Sequence, residues 1–116
     1  MKKTAFLYVR IACAEKTTPN GSADEQFKEL LKHCQLHDIE AKHLFFDIGN
    51  ENILERYDIK KMLFFLENGF KADLLLFTRW DRISKKESEV KEFLEKVKGY
   101  EITPLAIKLI NKSKGI

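Results

Sequence analysis

DLLLFTRWDRISKK, residues 73–86, is the stretch from which the architecture of this chain follows. Leu74 to Phe77 is a continuous apolar run closed by Thr78, the composition of a strand covered on both faces. Strands of that kind belong to parallel sheets with helices on either side, so the chain around them should alternate strand and helix. Arg79 to Lys86 follows directly on the strand's carboxyl end and is rich in cations. In open parallel sheets, ligands bind beyond those ends.

Working outward, the alternation holds. Thr4 to Ile11 is apolar and β-rich and reads as a buried first strand. Ala12 to Gly21 is a loop punctuated by Pro19-Asn20-Gly21. Ser22-Ala23-Asp24-Glu25 has the form of a capping box, in which Ser22 accepts from the Glu25 N–H and Glu25 reaches back. Phe27, Leu30, Leu31 and Cys34 then line one face of a helix of about four turns. Ala41 to Asp47 is a second strand, ended by Gly49-Asn50. Asp58 to Leu66 is a second helix with Ile59, Met62, Leu63 and Leu66 inward, closed by Asn68-Gly69 as a C-cap. Asp73 to Thr78 is the central strand. Lys86 to Lys98 is a third helix, with Val90, Phe93, Leu94 and Val97 inward and Gly99 as its stop. Ile102 to Ile110 contains a fourth strand, and Pro104 places it at an edge or places itself early in the strand. The expected fold is an α/β three-layer sandwich with a four- to five-stranded, mostly parallel sheet and right-handed crossovers. One domain should span residues 1–110, with 111–116 as a tail.

Composition agrees with a self-sufficient domain. The chain has 116 residues, is 44% hydrophobic and contains nine Phe, enough for a core without metal or disulfide support. Its net charge of +3 permits a phosphate-rich partner without demanding one. The two cysteines, Cys13 and Cys34, form no disulfide or metal pattern and fit a reducing cytoplasm. The apolar run Ala5 to Val9 ends at Arg10, too short for a signal sequence or a membrane span. His33 and His37 stand four residues apart, but with His43 they complete no metal-ligand set. No cofactor and no metal are expected. Phe64-Phe65 cannot both face inward at helical spacing, and Phe70 and Trp80 are further candidates for an exposed patch; such a patch would suit a homo-oligomer.

Chemistry should gather at the carboxyl ends of the strands. Arg10 ends the first strand, Asp47 the second, and Arg79, Asp81, Arg82, Lys85 and Lys86 follow the third. Arginine forks match phosphate oxygens, so one reading is an anion site. The other is a solvated basic rim in which Asp81 pairs with an arginine. Charge alone leaves both open.

The motifs add a resemblance. Tyr8-Val9-Arg10-Ile11-Ala12-Cys13 is similar to Y-x-R-V-S-T, the opening of the serine recombinases (resolvases and invertases). Ser22-Ala23-Asp24-Glu25-Gln26 resembles the S-x-x-x-Q that follows, Phe46-Asp47-Ile48-Gly49 the aspartate after strand two, and Asp81-Arg82-Ile83-Ser84-Lys85 the D-R-L-x-R stretch. Glu55-Arg56-Tyr57-Asp58-Ile59 resembles the R-P-x-L segment. The match runs from about residue 5 to 110 in the family's order. It implies a resolvase-like catalytic domain in which Arg10, Arg82 and Lys85 bind and activate the scissile phosphate. Asp81 would orient them or assist the leaving oxygen, and Arg56 would add a phosphate contact. The nucleophile's position falls on Ala12. Family members form a covalent phosphoserine link to DNA within a tetramer, without metal.

Departures from the pattern shape the functional expectation. Ala12 has no hydroxyl with which to attack phosphorus. Lys85 replaces an arginine and loses its two-pronged contact. Asn50-Glu51-Asn52 replaces the S-G after the aspartate. Cys13 matches the family's threonine and, one residue along an extended strand end, should face away from the phosphate. Ser84 is the other nearby hydroxyl. The chain ends before the family's oligomerisation helix and helix-turn-helix, so it is expected to be a fragment or a stand-alone degenerate domain. The function implied is a domain associated with site-specific DNA recombination, catalytically inactive and binding DNA weakly. The alternative is a regulatory or protein-interaction domain without DNA activity. A phosphoryl-signalling receiver would need acids where Ala12 and Cys13 stand.

Overall fold

The apolar run at the centre of the chain forms β3 (Leu74–Phe77), with Leu75, Leu76 and Phe77 fully buried. In the computed structural model, which describes residues 2–12, 22–49 and 52–108, β1 (Lys3–Ile11) lies beside it. β2 (Ile39–Ile48) pairs with β1, and β4 (Thr103–Ala106) with β3, giving the order β2-β1-β3-β4. All three pairings are parallel. The helices are α1 (Ala23–Leu36), α2 (Tyr57–Glu67) and α3 (Glu87–Lys98).

Alternation along β1 divides the core in two. Ala5, Leu7 and Val9 pack with Leu30 and Cys34 of α1 on one face. Phe6 and Tyr8 point the other way, into a cluster with Ile59 and Met62 of α2 and Phe93 and Val97 of α3. Successive strand residues face opposite sides, so a strand covered on both must be apolar throughout, as residues 5–9 are. The result is three layers with four parallel strands, the fold expected from the sequence.

Several local readings are refined. Ser22 Oγ accepts from the Glu25 N–H at 3.1 Å, the first half of the capping box. Asn68 caps α2, and Gly69 takes the left-handed conformation with φ of +92°. Gly99 does not: it remains right-handed, and Glu101 carries the positive φ of +61° before β4. β2 begins at Ile39, two residues early, and a register shift opposite Ala5/Phe6 makes Lys42 its extra residue. Pro104 sits in the edge strand β4. Thr103 and Ile107 donate to the Asp73 and Phe77 carbonyls, so Pro104, between them, falls where the N–H would face away from the sheet. Short 3-10 turns at Ile53–Glu55 and Trp80–Arg82 were not foreseen. Phe64 is exposed while Phe65 is half-buried; Trp80 is half-buried, edge-on to Phe77 at 4.8 Å. The residues of the expected loop at 13–21, Cys13 among them, and of the tail at 111–116 lie outside the described residues, as do Asn50, Glu51, Leu109 and Ile110.

The largest correction concerns α1. Leu31 is exposed, and the buried column is Gln26, Leu30 and Cys34. Gln26 is 1% exposed. Its Nε2 donates to the Arg10 carbonyl at 2.9 Å, and its Oε1 accepts the Arg10 N–H at 3.3 Å. The side chain thus stands in for a neighbouring strand at the end of β1, meeting both backbone groups of one residue. Gln26→Leu keeps the size but leaves a buried donor and acceptor unmet, which costs about 1–3 kcal/mol each way such a group is stranded. Urea unfolding should show a loss in that range, with Leu30→Met, a volume-conserving neighbour, much nearer wild type.

Candidate functional site

At the carboxyl edge of the sheet, a cavity of about 90 Å³ is lined by Arg10, Ala12, Arg56, Ser84, Lys85 and Lys86. Four of the six are cationic. Each arrives from a different part of the fold: Arg10 and Ala12 from the end of β1, Arg56 from the residue preceding α2, and Ser84 to Lys86 from the turn before α3. Ala12 is exposed. The Arg10 Nε donates to the Gly49 carbonyl at 3.2 Å, and the Gly49 N–H donates to the Ile11 carbonyl at 2.8 Å, tying the ends of β1 and β2 together. Gly49 has a φ of +70°, the left-handed region that glycine enters without strain.

Arg56 is 2% exposed, the most deeply placed charge of the chain's described residues. A buried guanidinium requires partners. Its Nη1 donates to the Tyr8 hydroxyl at 3.2 Å and to the Arg82 carbonyl at 2.9 Å. The Tyr8 hydroxyl in turn donates to Asp47 Oδ2 at 2.9 Å. Asp47 Oδ1 accepts the Asp58 N–H at 2.8 Å in the first turn of α2, while Asp58 Oδ2 accepts the Phe46 N–H at 2.7 Å. A carboxylate at a helix N-terminus is favoured by the unpaired N–H groups there. The chain Arg56–Tyr8–Asp47 therefore places a cation beside the cavity with its counter-charge behind it. Burial pushes the Tyr8 phenol far above its ordinary value, with Asp47 adding to the shift and Arg56 opposing it.

Arg82 and Asp81 lie behind this rim and do not line the cavity. Asp81 Oδ1 stands 3.4 Å from Arg79 Nε and 4.0 Å from Arg82 Nε. Burial lowers the pKa of Arg82; Asp81 opposes the shift, and Arg79 and Arg10 reinforce it. Ser84 is buried; its hydroxyl donates to Glu89 Oε1 at 2.8 Å and accepts from the Lys86 N–H at 3.0 Å, which organises the start of α3. The structure thus brings Arg10, Arg56 and Lys85 around Ala12, and sets Asp81 and Arg82 against Arg79 in an ion-pair cluster beside them. Sequence reasoning placed Asp47 at its strand end but missed Tyr8 and Gln26 as residues that hold this arrangement. Their signal was a polar group inside an otherwise apolar pattern: a hydroxyl in a buried strand, an amide on a helix's inner column.

The chain matches no protein-family model and no curated protein by sequence. By structure it is similar to the N-terminal catalytic domain of TP901-1 integrase, with a TM-score of 0.76 at 20% identity over 90% of this chain and 77% of that one. It is similar to the C-terminal catalytic domain of ISC1926 TnpA, an IS607-like serine recombinase, with a TM-score of 0.77 at 15% identity over 90% of this chain and 67% of the other. A resolvase-family site-specific recombinase from Streptococcus pneumoniae superposes with a TM-score of 0.74 at 16% identity, over 99% of this chain and 75% of that chain. The fold is that of the serine-recombinase catalytic domain.

Tyr8→Phe removes the hydroxyl that both Arg56 and Asp47 use, and should cost about 1–3 kcal/mol in urea unfolding at neutral pH. The pH dependence has a definite sign. The folded pKa lies above the ordinary value of 10.0, so the protonated phenol's contribution is full below pH 10.0 and is lost as pH rises beyond it. Wild type should therefore lose stability above that pH more steeply than Tyr8→Phe. Parallel curves for the two proteins would contradict the buried, proton-holding phenol.

Proposed function

We propose that the cavity receives a phosphate of the DNA backbone, and that the domain serves site-specific recombination as a serine-recombinase-type domain without cleavage chemistry of its own. The observation that carries the reading is the convergence of Arg10, Arg56, Lys85 and Lys86 on one small cavity whose wall includes Ala12. Anionic oxygens are the natural occupants of such a ring, because guanidinium and ammonium donors have no acceptor capacity of their own. The proteins of like fold include an integrase, a serine recombinase and a site-specific recombinase by name.

In this reading the roles divide by residue. Arg10 and Lys85 meet the phosphate from the cavity wall. Arg56, fixed by Tyr8, supplies positive potential from below. Arg82, backed by Asp81, adds to that potential from the second rank. Ala12 occupies the place of the serine in the recombinase pattern and offers a methyl group where an attacking oxygen is needed. Ser84 lines the same cavity, but its hydroxyl is directed onto Glu89.

Labelled duplex DNA titrated at rising salt should bind weakly, with log affinity falling linearly against log salt. Arg10→Ala and Lys85→Ala should each weaken binding across sequences and reduce the salt slope by about one. Salt-insensitive or strongly sequence-selective binding would contradict a phosphate site. On a nicked suicide substrate, a denaturing gel should show no covalent protein–DNA species; an adduct on any residue would overturn the assignment of lost chemistry.

A further inference from the structure

One face of α2 carries a pattern that neither the core nor the cavity uses. Tyr57 is 85% exposed and Phe64 62% exposed, and Lys60 and Lys61, also exposed, lie between them. At about 100° per residue these four positions fall within an arc of about 100°, directly opposite the buried Ile59, Met62 and Leu66. Together with Asp58 they border a shallow groove of about 380 Å³. Asp58 Oδ2 is turned to the Phe46 N–H, which it accepts at 2.7 Å. Neither lysine forms an ion pair among the described residues. The stripe starts one residue after Arg56, which lines the cavity at the carboxyl edge.

We propose that this face of α2 is a docking stripe for single-stranded nucleic acid, with bases stacked on Tyr57 and Phe64 and the intervening phosphates on Lys60 and Lys61. The chemistry favours that occupant on two counts. Aromatic platforms interleaved with cations are what an unpaired strand requires, because its base faces are open to stacking and its backbone is a line of negative charge. Seven residues of helix set Tyr57 and Phe64 about 10 Å apart along the helix axis, room for a strand to place a base on each with phosphate between. A second copy of the chain fits less well: in a two-fold interface the stripe would meet itself and set lysine pair against lysine pair. The continuity with Arg56 would lead a strand held at the cavity onto α2. The inference is independent of the cavity's phosphate reading and can fail or stand without it.

The test uses the full chain and fluorescein-labelled oligo(dT) of about 12 nucleotides in anisotropy titrations, with the matching blunt duplex as comparison. Tyr57→Ala and Phe64→Ala should each weaken oligo(dT) binding about tenfold and leave duplex binding within about twofold, since stacking on an aromatic is worth about 1–3 kcal/mol per base. Lys60→Ala/Lys61→Ala should lower the salt slope for the single strand. Arg10→Ala should weaken duplex binding and spare the stripe, which separates this inference from the cavity reading. All these side chains except Arg10 are exposed, so thermal unfolding should be unchanged and loss of folding is excluded directly. Equal affinity of wild type and Tyr57→Ala/Phe64→Ala for oligo(dT) would overturn the proposal. So would concentration-dependent self-association in sedimentation that the same double variant abolishes, with no single-strand binding; the face would then be an interface between copies.

Discussion

The hydrogen-bonded chain Arg56–Tyr8–Asp47 ties three elements of the fold to one charge balance. Arg56 precedes α2, Tyr8 stands in the middle of β1, and Asp47 is next to last in β2. Each would be costly where it is without the others: a guanidinium 2% exposed, a phenol with no exposure, and a carboxylate 5% exposed. Linked, they leave the positive end at the cavity and the negative end at the first turn of α2, where the helix's unpaired N–H groups favour it. The position of α2 against β2 and the potential of the cavity therefore come from the same residues. Removing one partner strands the rest in a low-dielectric interior, where the cost exceeds the net worth of the pair.

A second constraint operates at the edge of the sheet. β2 is the longest described strand and is paired on one side only. Exposed edges of that length invite pairing with other chains. Here the Asp58 carboxylate takes the Phe46 N–H and Lys42 interrupts the register, so the edge strand is broken up at two points. Asp58 thus works in two directions, its backbone N–H closing the Asp47 carboxylate and its side chain closing the edge.

The layers and the strand–helix alternation were legible because they depend on hydrophobic period, which sequence displays. The run at Leu74–Phe77 and the alternation at residues 5–9 each required cover on both faces, and helices supplied it. The candidate site was legible in part. Placing cations after strands one and three rests on topology, and topology brought Arg10, Lys85 and Lys86 to one cavity. What was not legible depends on side-chain direction. Leu31 and Gln26 differ by five positions on one helix; apolar preference favoured the first, yet the backbone groups at the end of β1 required the second. Arg82 is the last residue of a 3-10 turn, and that turn, invisible to periodicity, sets it behind the rim against Asp81. Gly99 does stop α3 as its C-cap, but the positive φ that follows falls on Glu101, which residue type does not display.

The same distinction bears on how such a site can lose one function and keep another. Residue 12 is exposed and its side chain supports no described contact in the core, so alanine in place of a hydroxyl residue there carries no folding penalty. Arg56, Tyr8 and Asp47 have no such freedom, because each satisfies a buried partner. Arg10 is intermediate: its backbone is clamped by Gln26 and its guanidinium by Gly49, so the cation is held by contacts that also fix the ends of β1 and β2. Fold stability thus retains the anion-attracting cavity whatever happens at position 12. On the proposed reading, bond-breaking chemistry and affinity for phosphate separate at this single exposed residue.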